Sequence, residues 1–155
     1  MTTLNEAAQE FLAQPRIAVA GVSRTGQLTG NGIYRALKDM GKEVFAVNPN
    51  TAEVEGDKCY ASVKDIPGGV DGVVIVTRPE IANKVVHDCA EAGVKRVWMH
   101  NNTFGPSSVS KDAVEFCKQN HNTVIAGACP MMFIDPFHKF MRGMLGVMGR
   151  LPQPQ

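Results

Sequence analysis

Apolar residues in this chain gather in short runs rich in Val, Ile and Ala, separated by stretches in which they recur every three or four positions. Near the N-terminus, Thr3-Leu4-Asn5-Glu6 has the capping-box pattern, in which a Thr hydroxyl and a Glu carboxylate each satisfy a free backbone N–H. It predicts a helix over 4–13, stopped before Pro15. Arg16 to Ala20 is the first expected strand. After a glycine-studded loop from Gly21, the positions Ile33, Leu37 and Met40 keep helical spacing up to Gly41, and Glu43 to Val47 reads as the second strand. The alternation then repeats as strand 71–76, helix 80–92 ended by Gly93, strand 95–99, helix 108–120 and strand 123–126. Such an order requires right-handed crossovers. The expected class is therefore α/β, a Rossmann-like doubly wound parallel sheet of about five strands with helices on both faces and a C-terminal helical extension.

The tail departs from this rhythm. Phe137, Phe140, Met141, Met144, Leu145 and Met148 form an apolar stripe, interrupted by Gly143, Gly146 and Gly149, and predict an amphipathic helix. Its apolar face is expected to pack on the domain's own core or on a second subunit, giving a homodimer. Lys139 and Arg142 leave a membrane-surface helix as the minor alternative. The organisation read from the pattern is an N-terminal helix over 1–15, one nucleotide-binding domain over 16–130 and the extension over 131–155.

Composition narrows the function classes. At 155 residues and 44% apolar content, one core is the default. The 16 Lys and Arg nearly cancel the 15 Asp and Glu, so no bulk positive field is present to hold a nucleic acid. Thr2 to Glu6 lacks the basic start and apolar stretch of a secretory signal, and no apolar run approaches the roughly 20 residues of a membrane span, so a cytoplasmic location is expected. Cys59, Cys89, Cys117 and Cys129 form no CxxC pair, which argues against zinc, a thioredoxin-type motif or a disulfide framework. His87, His121 and His138 have no partners at metal-ligand spacing, and no metal is expected.

In an open parallel sheet the ligand lies beyond the carboxyl ends of the strands, where strand order reverses. The loop after the first strand, GVSRTGQLTGNG, places Gly21 at the strand end and Gly30 at a helix entry, where missing side chains let backbone N–H groups approach an anion. Val22, Ser23, Arg24, Thr25 and Asn31 add backbone, hydroxyl, amide and charge to that candidate phosphate site; the plain alternative is a tight turn. The lysine of a Walker loop is missing, since Gln27 and Leu28 follow Gly26. The GxGxxG dinucleotide fingerprint also fails at Ser23, and the second strand ends in Val47-Asn48-Pro49 with no acidic residue for a ribose diol.

The runs IAVAGVS, VNPNTAEVEGDKCYASVKDIP, VDGVVIVTRPE and the later ACP together resemble the small single-domain CoA-binding proteins, which are similar to the nucleotide-binding domain of the succinyl-CoA synthetase alpha subunit. The resemblance covers about Arg16 to Pro130. It implies coenzyme A as the cofactor, with NAD or NADP as the alternative. By position, Gly21, Ser23, Arg24 and Thr25 would take phosphates, Asn48 and Pro49 would border the adenosine, and Thr77, Arg78 and Pro79 would close over the ligand. Asn50 and Thr51 stand where the synthetases carry a lysine, so charge for the ribose phosphate would come from Arg24, Lys58 or Arg78. The synthetase phosphohistidine belongs to a domain outside the resemblance, and that activity does not transfer. His100, after the fourth strand, is a candidate ligand anchor, acid or base, against the plain alternative of a solvated loop histidine. Cys129, after the fifth strand, is expected on the same rim as the weak candidate for chemistry. The expected function is a non-catalytic binding module for coenzyme A or an acyl-CoA. The alternatives are an acyl or thiol-exchange enzyme using Cys129, and an NAD(P)-responsive regulatory domain.

Overall fold

The computed structural model of the chain describes residues 3–25, 29–101 and 107–134. In chain order the elements are α1 (Leu4–Leu12), β1 (Arg16–Ala20), α2 (Thr29–Asp39), β2 (Glu43–Val47), β3 (Glu53–Val54), β4 (Asp57–Tyr60), a 3-10 turn over Val63–Asp65, β5 (Gly72–Ile75), α3 (Pro79–Glu91), β6 (Arg96–His100), α4 (Lys111–Gln119), β7 (Thr123–Ala128) and α5 (Met131–Ile134). The strands form one sheet in the order β3-β4-β2-β1-β5-β6-β7. Every neighbouring pair is parallel except the edge pair β3 and β4.

The α/β class stands as read, and the strand count changes from about five to seven among the described residues. The two further strands are a hairpin whose turn residues Glu55 and Gly56 both have positive φ, 53° and 79°. Turns of that hand match the twist of paired strands. Helix α2 begins at Thr29, a full turn before the apolar spacing starts at Ile33, and β6 and β7 run on to His100 and Ala128. The expected amphipathic helix of the tail, and the homodimer through it, lie outside the described residues.

Alternation along the central strands builds two cores. Ile17, Val19, Val74, Trp98 and Ile125 face one side of the sheet, where α1, α2 and α5 cover them. Ala18, Ala20, Val73, Ile75, Val97, Met99 and Val124 face the other, under α3 and α4. The capping box of α1 forms as expected, with the Thr3 N–H donating to Glu6 at 3.0 Å and the Glu6 N–H to the Thr3 hydroxyl at 3.1 Å. That helix delivers Phe11 edge-on to Trp98, ring centroids 5.4 Å apart, and Phe133 of α5 meets the same indole at 5.6 Å. Trp98 donates its N–H to the Ala128 carbonyl at 2.9 Å, so its one polar atom is satisfied in the core. No described helix is long and apolar enough to cross a membrane.

Candidate functional site

The chain leaves β1 through α2 to β2 on one side, and passes from β5 through α3, β6 and α4 to β7 on the other. Strand order therefore reverses between β1 and β5, and the connections leaving them diverge to opposite faces. At that point the carboxyl edge carries a cleft of about 520 Å³, within the range usual for small-molecule sites. It is lined from Asn48, Pro49 and Asn50 after β2, past Gly21, Val22, Ser23, Thr29 and Gly30, to Thr77 and Arg78 after β5 and His100 at the end of β6.

The first wall is packed backbone to backbone. Gly21 has φ +108°, and a Cβ there would run into the Val76 carbonyl, with the carbon at 2.7 Å. A Cβ on Gly30 would lie 2.6 Å from the Gly21 carbonyl oxygen. The loop is then pinned by two amides. Asn31, fully buried, accepts from the Ser23 N–H at 2.8 Å and donates Nδ2 to the Ser23 carbonyl at 2.7 Å and to Glu55 at 2.8 Å. Asn48 donates Nδ2 to the Val22 carbonyl at 2.8 Å, while its Oδ1 accepts from the Asn50 N–H at 2.8 Å. The Ser23 and Thr25 hydroxyls bond each other at 2.8 Å. The first turn of α2 carries no acidic residue of its own, and its positive end borders this wall.

The facing wall comes from α3 and the segment after β4. Ala61, Val63, Ile81 and Val85 make it apolar, and Lys84 and Asp88 add charge. Asp88 is engaged, accepting from Ser62 at 3.1 Å and pairing with Lys84 at 3.4 Å. Arg78 is largely exposed and only 4.0 Å from Glu80. His100 closes the far end at 4% exposure, and burial lowers its pKa below the ordinary value, so the ring is neutral at pH 7. Its Nε2 has no hydrogen-bond partner among the described residues.

Of the residues expected from sequence, Gly21, Val22, Ser23, Gly30, Asn48, Pro49, Thr77, Arg78 and His100 line the cleft. Four depart from expectation. Asn31 is a buried pin of the loop, because both ends of its amide are used inside the protein. Arg24 and Thr25 are exposed and, with Pro79 at the first turn of α3, are absent from the lining. Cys129 is also corrected. It is half-buried against the core under α1, α2 and α5, outside the cleft lining, and burial pushes its thiol up. The other thiols are buried, Cys117 pushed up to about 11. Ile81, Lys84, Val85 and Asp88 were missed as site residues, although their spacing of three and four on one helix was visible in sequence.

Comparison with known proteins gives the site a family. The chain is 33% identical over 127 residues to the alpha subunit of the ADP-forming acetate–CoA ligase II of Pyrococcus furiosus, an alignment covering 77% of this chain and 28% of that protein. The chain thus spans little more than a quarter of that relative's length. It is 31% identical over 114 residues to the uncharacterized protein YneT of Bacillus subtilis, covering 74% of this chain and 81% of that one. A solved structure of a hypothetical protein from Pyrococcus horikoshii OT3 superposes with TM-score 0.76 and 29% identity, over 84% of this chain and 88% of that one. The family model described as the CoA binding domain matches residues 15–135, which hold all seven strands and the cleft they border, and the chain belongs to that CoA-binding family.

Proposed function

We propose that this chain binds coenzyme A or an acyl-CoA in the cleft at the carboxyl edge of its sheet, as a binding module. The observation that carries the reading is the wall made by Gly21, Ser23 and Gly30 at the positive end of α2, where backbone and hydroxyl groups border a cleft of about 520 Å³. A diphosphate suits that wall, since glycines permit close approach and the helix dipole favours negative charge. The adenosine then lies against Asn48 and Pro49, and Thr77 and Arg78 form the opposing rim. Arg78 and Lys84 are the cations of the described lining and are assigned to the ribose phosphate.

A binding role is supported by what the cleft offers chemically. The one thiol that the sequence offered for exchange, Cys129, packs outside the lining, and Asp88 is already held by Ser62 and Lys84. The ligase activity named for the Pyrococcus furiosus relative belongs to a protein of which this chain matches 28%.

The test is mass spectrometry of any ligand released from the purified protein, followed by calorimetric titration with CoA, NAD, NADP and ATP. Saturable binding of CoA, tighter than that of the other three, is expected. Saturable binding of NAD or NADP without CoA would overturn the reading in favour of a redox-responsive module.

A further inference from the structure

His100 is the last residue of β6, is 4% exposed, and leaves Nε2 without a hydrogen-bond partner among the described residues. Folded proteins pair nearly all their buried polar atoms, and an exception at the wall of a cleft marks a place where a ligand supplies the partner. The backbone here is shaped around this residue. The pairing of β6 with β7 is in register up to Met99–Ala126, then slips so that His100 pairs with Ala128 and Gly127, with φ +114°, is left over. A bulge of this kind takes a side chain out of the plain alternation of its strand and is typical beside functional sites. The Ser108 N–H donates to the His100 carbonyl at 2.8 Å, and both residues line the cleft.

Strand order fixes what reaches His100. The phosphate-loop wall follows β1, and β5 alone separates β1 from β6, so His100 stands two strand spacings away, about 10 Å. Pro49 and Val63 follow β2 and β4, on the other side of that wall, toward the sheet edge. An adenosine against Pro49 and a diphosphate on Gly21 and Gly30 leave the rest of coenzyme A one direction, across β5 toward β6.

We propose that His100 reads the pantetheine arm of coenzyme A, its Nε2 hydrogen-bonding an amide of the arm where it passes the carboxyl end of β6. This rests on the coenzyme A reading above. At two strand spacings the amides of the arm, rather than its terminal thiol, come level with the ring. A neutral imidazole donates or accepts at Nε2 according to tautomer, so it suits either end of an amide.

Titration of wild type, His100→Ala and His100→Gln with CoA and with 3′-phospho-ADP, which keeps the nucleotide and lacks the arm, tests it. His100→Ala is expected to weaken CoA about tenfold or more and to leave 3′-phospho-ADP within about twofold, as the loss of one hydrogen bond to a buried amide requires. His100→Gln, whose amide reaches near the Nε2 position, is expected to recover most of the CoA affinity. Unchanged CoA affinity in His100→Ala, or equal losses of both ligands in His100→Gln, overturns the assignment. Failure of the underlying reading looks different: wild type then binds neither ligand.

Discussion

Two glycines of one helix turn, two residues apart, are expected to respond oppositely to the same methyl group. Gly30 faces the Gly21 carbonyl, and an added Cβ at 2.6 Å forces the loop and α2 apart. Gly32 has nothing within 4 Å of its would-be Cβ. Gly30→Ala should therefore destabilise the fold by about 1–3 kcal/mol through overpacking, and weaken ligand binding, because the carbonyl it displaces belongs to the wall proposed to take the diphosphate. Gly32→Ala should stabilise by about 0.5–1 kcal/mol, the ordinary gain for replacing glycine inside a helix. Thermal melts of the two variants check both signs, and a loss of stability in each would show that α2 starts elsewhere. The glycines of GVSRTGQLTGNG were legible as a wall for an anion, but the sequence does not say what each excludes. Gly21 would have been assigned to ligand approach alone, whereas its Cβ would first strike the chain's own Val76 carbonyl. Asn31 misled for a related reason: a polar residue in a glycine loop looks free to bind, and only packing reveals that its amide is consumed.

At the scale of elements, the β3–β4 hairpin holds α2 and, through it, the glycine-loop wall of the cleft. Glu55, in the turn, accepts from Asn31 at 2.8 Å and from Arg35 at 2.7 Å. Asp57 accepts from Tyr34 and from Lys38, each at 2.6 Å. The Lys38 bond first, and the Tyr34 bond second, hold the Asp57 carboxyl below its usual range, while burial first and Asp57 second push the Tyr34 phenol up. This hairpin was not legible in sequence, because strands of two and four residues with Glu, Asp and Lys in them carry no readable period. The five strands expected from sequence were legible because helices cover both faces of the sheet they build, which demands apolar runs. Asn31→Asp places a second carboxylate where the amide now donates to Glu55 and to the Ser23 carbonyl. It should cost more stability than Asn31→Ala, whose own cost should be about 1–3 kcal/mol for the polar groups left unpaired. Adding Glu55→Gln to Asn31→Asp replaces one carboxylate by a donor and should recover most of the difference. Denaturant unfolding of the three variants is the measurement. Equal stability of Asn31→Asp and Asn31→Ala would mean that Glu55 does not face the amide.

At the scale of the molecule, the α1 end of the aromatic core lies at the end of the sheet opposite the cleft. Phe11 packs against Gly72, the first residue of β5, where an added Cβ would come within 2.8 Å of its ring. The cleft borders the opposite, carboxyl ends of the strands. Phe11 also meets Trp98, which Phe133 touches in turn, so one aromatic cluster ties α1 and α5 to the sheet. Phe11→Ala removes a side chain only 2% exposed and should cost about 3–5 kcal/mol. For a chain of this size that lowers Tm by about 2–4 °C per kcal/mol. Coenzyme A at about one hundred times its Kd should add about 2.7 kcal/mol of stability to wild type. Because Gly72 and Trp98, the neighbours of the deleted ring described here, lie outside the cleft lining, the variant should bind with the same Kd and regain the same increment. Calorimetric titration and melts of both proteins, with and without ligand, provide the comparison. A markedly smaller increment in Phe11→Ala would show that the sheet transmits strain from its amino end to the cleft, and that the core of this fold sets the affinity of its site as well as its stability.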